Sequence, residues 1–206
     1  MGAAIRVLDS HRQDEAYKKI VLPATEGTSD RLDLSALGLY TAPSVLDKLA
    51  AIKELSLAGN FIKELPASFG VLRCLEDLQL QDNRLQYLPN TLGDLARLKT
   101  LSVGRNRLSD ITDNIQHCVS LKSLCADGNA LTALPELPVS LISLSVSRNH
   151  IGPMLPSTFT NLKSLRFADV SENRITQLSH TIGRMSRLER FVLSKNRINT
   201  IGADAE

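Results

Sequence analysis

A chain of 206 residues that is 43% hydrophobic but only 4% aromatic can bury a long aliphatic core and not a large aromatic one, so one elongated domain fits better than two globular ones. The formal charge of +2, with an isoelectric point near 8.5, is too mild to point to nucleic acid or to a membrane surface. No apolar run approaches the length of a bilayer span, and the opening Met1-Gly-Ala-Ala-Ile-Arg6 leads into charged residues rather than a hydrophobic signal core.

In chain order, residues 1–28 come first. Ser10 with Gln13 reads as a capping box, and Ala16, Tyr17, Ile20 and Val21 form a narrow apolar stripe on a predicted short helix. Gly2 suggests myristoylation, but the motif asks for Ser or Thr at position 6, where this chain has Arg6. The linker Pro23-Ala-Thr-Glu-Gly-Thr-Ser-Asp30 leads into a weak repeat at Ser29 that carries Leu32, Leu34 and Leu39. A full frame follows, Ile52-x-x-Leu55-x-Leu57-x-x-Asn60-x-Ile62, and it starts again at Leu75, Leu98, Leu121, Leu141, Leu165 and Leu188. These starts lie 23, 23, 23, 20, 24 and 23 residues apart, which makes about eight units.

The matching segment is too short for a helix, and its Leu-x-Leu has the period of a strand whose alternate side chains enter a core. The remaining dozen residues of each unit supply the long return that parallel strands need. No unit can bury its leucines alone, so neighbours must stack into a solenoid of parallel strands. The asparagines at 60, 83, 106, 129, 149, 173 and 196 fall where the chain leaves the strand and turns inward, away from water. A short side chain with both a donor and an acceptor suits that place, and stacked copies predict a hydrogen-bonded ladder.

The return segments carry three apolar columns. One is Leu65, Leu88, Ile111, Leu134, Leu155, Leu178 and Ile201; the second is Phe69, Leu92, Ile115, Phe159 and Ile182; the third is Leu72, Leu95, Cys118, Leu162 and Met185. Pro66, Pro89, Pro135 and Pro156 directly follow the first column, where proline removes a donor and steers the chain away from a long helix. Short helical or irregular turns are expected on that convex side. A solenoid exposes its core at both ends unless capped; residues 1–28 are the expected N-terminal cap, 29–201 the repeat domain and 202–206 a tail. Phe191, Leu193 and Ile198 have no following repeat in this chain, which leaves as readings a covering partner or self-association, a chain that is a piece of something longer, or a tolerated edge.

The unit from Leu75 to Leu95 resembles the 23-residue type of the intracellular leucine-rich repeat family, as in Ras-pathway scaffolds and Ras-suppressor proteins, over about residues 29–201. The resemblance implies an α/β solenoid with strands on the concave face, and it is poorly specific for function, since such folds serve scaffolds, receptors, effectors and cytoskeletal components. Two units depart from the type. Ala133-Leu-Pro-Glu-Leu-Pro-Val-Ser140 is similar to the 20-residue unit of secreted bacterial effectors, and its Pro-rich return should be extended. Gly152-Pro-Met-Leu-Pro-Ser-Thr-Phe159 is similar to the plant-type unit. Extracellular members usually carry disulfide caps; no cysteine cluster flanks this array and no N-x-[ST] sequon occurs, so a cytoplasmic location is expected.

With the leucines inward, alternate strand residues face outward on the concave side. Most are small or polar, and eight strands would line roughly 34 Å, enough for an extended peptide or a helix. Among them, Glu54 and Asp77 with Asp82 read as an early acidic patch, beside Gln79, and Cys125 and Asp127 fall at the centre. Phe167, Asp169, Arg190 and Val192 replace the serines late in the array, and Phe167 with Arg190 is a candidate anchor, the alternative being that Phe167 is covered by its neighbours. Arg84, Arg105, Arg107, Arg148, Arg174, Lys195 and Arg197 form a basic series after the strands, which reads either as a ridge for an acidic partner or as solvated turn residues partly offset by Asp82 and Glu172.

Nothing in the sequence has the spacing of a catalytic or metal site: His11, His117, His150 and His180 lack carboxylate or cysteine neighbours at ligand spacing, no Gly-rich phosphate loop opens a helix, and Cys125 lacks an evident base. The expected function is a non-enzymatic scaffold or adaptor that binds a protein partner through the concave face, with no cofactor. The alternatives are a structural subunit of a large assembly, or the recognition part of a longer effector or ubiquitin ligase.

Overall fold

Every strand centres on a leucine or its equivalent, and each is only three residues long because the pattern flips sides once before the chain turns. The computed structural model describes residues 30–43, 46 and 49–202; the expected cap at 1–28 lies outside them. The strands are β1 (Arg31–Asp33), β2 (Glu54–Ser56), β3 (Asp77–Gln79), β4 (Thr100–Ser102), β5 (Ser123–Cys125), β6 (Ser143–Ser145), β7 (Phe167–Asp169), β8 (Gln177–Ser179), β9 (Arg190–Val192) and β10 (Thr200–Gly202). Eight form one parallel sheet in the order β1-β2-β3-β4-β5-β6-β7-β9, while β8 and β10 pair in parallel in a separate two-stranded sheet. The register keeps leucine on leucine: Leu32 pairs Leu55, Leu55 pairs Leu78, and Leu78 pairs Leu101. It also absorbs the 20-residue unit without slipping, since Leu124 still pairs Leu144.

The predicted asparagine ladder is present in all seven copies. In Asn106 the side-chain amide donates to the carbonyl of Val103 in its own turn and of Leu80 one repeat earlier, and its oxygen accepts from the Leu85 N–H. Asn60, Asn83, Asn129, Asn149, Asn173 and Asn196 repeat this three-way bond with their own neighbours. Each therefore ties the turn of one repeat to two backbone groups of the repeat before it.

On the opposite side the chain forms five-residue 3₁₀ turns at Ala67–Val71, Asn90–Asp94, Asp113–His117, Ser157–Asn161 and His180–Arg184. Pro66, Pro89 and Pro156 directly precede three of them, as a residue with fixed φ and no N–H should. Phe69, Leu92, Ile115 and Phe159 project from these turns into the core. The Pro-rich return after Leu131 forms no helix, as its composition predicted. Gly70 and Gly93 mark where successive turns touch: a Cβ on Gly93 would lie 2.6 Å from the Asn114 carbonyl oxygen, and one on Gly70 2.8 Å from Thr91. One expected core position fails. Ile201 is 77% exposed in β10, rather than continuing the column through Leu178.

Strands about 4.8 Å apart on one side and bulkier turns on the other bend the stack toward the sheet, which makes the sheet's outer face the concave one.

Candidate interaction face

Pleating presents two columns of side chains on the outer face of the sheet, held in line by the parallel register. One runs Arg31, Glu54, Asp77, Thr100, Ser123, Ser143, Phe167 and Arg190; the other runs Asp33, Ser56, Gln79, Ser102, Cys125, Ser145, Asp169 and Val192. All the residues singled out on the strands therefore share one face.

At the late end, the four expected partner-binding residues are brought together. Phe167 pairs with Arg190, whose guanidinium carbon lies 5.7 Å from the ring centroid, and Asp169 pairs with Val192. Phe167 and Val192 are half-buried, so each keeps apolar surface open to solvent. The Asp169 carboxylate accepts from the Ser171 N–H at 2.9 Å, which fixes its direction.

Of the early acids, Glu54 and Asp77 adjoin across β2 and β3, while Asp82 stands apart from them. Glu54 is 3.5 Å from Arg31, and Asp77 accepts from the Gln79 amide at 2.7 Å. Asp82 takes two bonds from the Arg105 guanidinium, and this pairing holds its carboxyl below the ordinary carboxylate value. Asp82 belongs to the trailing edge of the sheet, where the chain leaves the strands, rather than to the strand itself.

That trailing edge also divides the basic series. Arg105 pairs with Asp82, while Arg148 and Lys195 share Glu172 at 3.4 and 3.2 Å. Arg84 stacks on Phe61 at 4.5 Å from the ring centroid, and Phe61 in turn packs on Tyr40. Arg107, Arg174 and Arg197 carry the rest of the charge. The sequence reading missed why these pairs align. The residue before each ladder asparagine, namely Gly59, Asp82, Arg105, Gly128, Arg148, Glu172 and Lys195, has a positive φ between 52° and 67°, so the side chains of the five that are not glycine leave the turn in one direction.

At the centre, the Cys125 thiol donates to Asp127 at 3.1 Å, and the same carboxylate accepts from the Ser145 hydroxyl at 2.7 Å and the Ser147 N–H at 2.6 Å. Burial, then the neighbouring Asp127, pushes the Cys125 thiol up, which disfavours the thiolate a nucleophile requires. Cys118 is buried as expected, and burial pushes its thiol up to about 11. His117, His150 and His180 lie exposed on return segments. Among the described residues no group of His, Cys, Asp and Glu is arranged to hold a metal ion, and no helix is long and apolar enough to cross a membrane.

Short parallel strands stacked in register, an asparagine ladder and 3₁₀ returns define a solenoid of leucine-rich repeats. The family model described as leucine rich repeat matches residues 139–198, and no curated protein sequence matches the chain. Among solved structures, a leucine-rich repeat protein of Leptospira interrogans superposes with a TM-score of 0.72 at 23% identity, covering 92% of this chain and 56% of that one. YopM from Yersinia enterocolitica gives 0.74 at 25% identity over 96% and 39%, and TLR13 in its complex with ssRNA13 gives 0.73 at 20% over 84% and 26%. The chain thus has the leucine-rich repeat fold, and it spans little more than half of the first of these proteins and less of the others.

Proposed function

We propose that this chain is a non-enzymatic interaction module, a cytoplasmic scaffold or adaptor that binds a protein partner through its concave face. The observation that carries this reading is the late cluster: a half-buried phenylalanine under an arginine, beside a valine and an oriented aspartate, on a face otherwise lined mainly by small polar groups. Aromatic and arginine residues dominate binding hot spots because they bury large area at low entropic cost. The neighbouring Ser143 and Ser145 leave room for a partner side chain to reach the Phe167 ring. The early acids carry no apolar anchor, and the stack of Arg84 on Phe61 and Tyr40 lies on the trailing edge, off the strand face.

Affinity capture of the native partner from extract, compared between the wild type and the combined Phe167→Ala and Arg190→Ala variant, tests this. Capture should weaken at least about tenfold, with the melting temperature falling by no more than a few degrees. Unchanged capture would move the interface away from the late cluster, first to the acids at Glu54, Asp77 and Asp82 and then to the basic edge, and a large stability loss would make Phe167 a core residue.

A further inference from the structure

The opposite edge of the sheet, where the chain enters the strands, has a different character from the trailing one. Two rows of side chains run along it. The inner row is continuous through the backbone: Lys122 N–H bonds the Lys99 carbonyl at 2.8 Å, Ile142 N–H the Lys122 carbonyl at 2.8 Å, and Arg166 N–H the Ile142 carbonyl at 2.9 Å. The outer row lies three residues earlier in each repeat, in the turn that closes the 3₁₀ segment or its extended equivalent, and holds Val119, Val139 and Lys163. The turns are tied together as well, since the Ser140 hydroxyl donates to the Leu121 carbonyl at 2.7 Å.

This edge therefore places Val119, Val139 and Ile142 side by side in neighbouring repeats, with exposures of 65%, 65% and 38%. Single exposed valines need no explanation, but three aliphatic side chains adjoining on a solvated edge form a patch. Cations flank it on both sides. Lys122 stands toward the N-terminal repeats and Lys163 toward the C-terminal ones, and among the described residues neither ammonium group has a salt-bridge partner. The other charges of the inner row are neutralised across repeats, Lys99 by Glu76 at 2.6 Å and Arg166 by Glu189 at 3.4 Å. The uncompensated charge thus falls on the two lysines that bracket the aliphatic centre.

We propose that this leading edge of the middle repeats is a second docking surface, which takes an acidic protein segment with an aliphatic centre. The charge pattern calls for carboxylates at both ends of the bound segment, and the three aliphatic side chains call for apolar groups between them. A phosphate alone could pair with the lysines and would leave the valines uncovered. The stretch from the Lys122 repeat to the Lys163 repeat crosses two inter-strand gaps, about 10 Å, which three residues of extended chain cover. This surface is separate from the Phe167 cluster, so either can fail without the other.

The test is fluorescence anisotropy with a labelled decapeptide that carries two central leucines and four glutamates on each side. The wild type should bind it, and the combined Val119→Ser and Val139→Ser variant should weaken binding at least about tenfold. Lys122→Glu with Lys163→Glu should do the same, while Phe167→Ala with Arg190→Ala should leave it unchanged. All of these positions are wholly or partly solvent-exposed, and a thermal melt of each variant checks that it folds. The proposal is overturned if the peptide does not bind, if replacing its leucines by serine makes no difference, or if both edge variants bind as the wild type does. Preference for poly-uridine or for phosphatidylserine vesicles over the peptide would equally overturn it in favour of a phosphate ligand.

Discussion

Asn106 serves two repeats with one amide, and its four bonds are all to backbone groups that the fold partly removes from water. Truncating it leaves three carbonyls and one N–H without that partner, so Asn106→Ala should cost about 1–3 kcal/mol, the penalty for unpaired buried polar groups. Urea or guanidinium melts would read this directly, and a variant as stable as the wild type would remove the ladder from the account. The ladder was legible in the sequence because asparagine recurs in frame with leucines, and few other roles require that residue there. The partners of Asp82 and Glu172 were legible only in part. Their charges stood in the sequence beside those of Arg105, Arg148 and Lys195, but the positive φ that lines them up is a backbone property that Asp, Arg, Glu and Lys do not announce as glycine would.

The turns of the convex side differ in how closely they pack, and glycine tracks that difference. Gly93 lies under the Asn114 carbonyl, whereas a Cβ on Gly183 would meet nothing within 4 Å, although both occupy the fourth place of a 3₁₀ turn. Gly93→Ala should therefore destabilise the protein by about 1–3 kcal/mol through overpacking. Gly183→Ala should stay within about 0.5 kcal/mol, as an open surface position does. Calorimetry on the two variants checks the contrast, and equal effects would show that the close approach at Gly93 relaxes freely. At this scale the strands and the helix-free 20-residue return could be read from period and proline content. The pairing of β8 with β10 could not, because Gln177-Leu-Ser179 and Thr200-Ile-Gly202 carry too few alternations to stand out from the returns around them.

Protection is distributed unevenly along the whole molecule. Leu98, Leu101 and Val103 are fully buried, whereas Phe191, Leu193 and Ile198 are only half-buried and Ile201 is exposed. Amide exchange in this chain should accordingly be faster over residues 188–201 than over 98–106, because local opening there uncovers less apolar surface. Equal protection would mean a cap over that end or self-association through it. The candidate interface was legible only where it broke the pattern: Phe167 and Arg190 stood out because serine was expected, while Val119, Val139 and Ile142 did not. Those three fall in turns or at the strand margin, where no period assigns a direction to a side chain, and their adjacency emerges only once the register is known. The central claim remains that a protein partner covers the late part of the concave face. Hydroxyl-radical footprinting of the protein alone and in its captured complex tests it most directly, with the exposed Tyr87 and Met154 of the return segments as internal references. The account predicts that oxidation at Phe167 falls several-fold on binding while Tyr87 and Met154 react as before; protection of those two with Phe167 unchanged would contradict it.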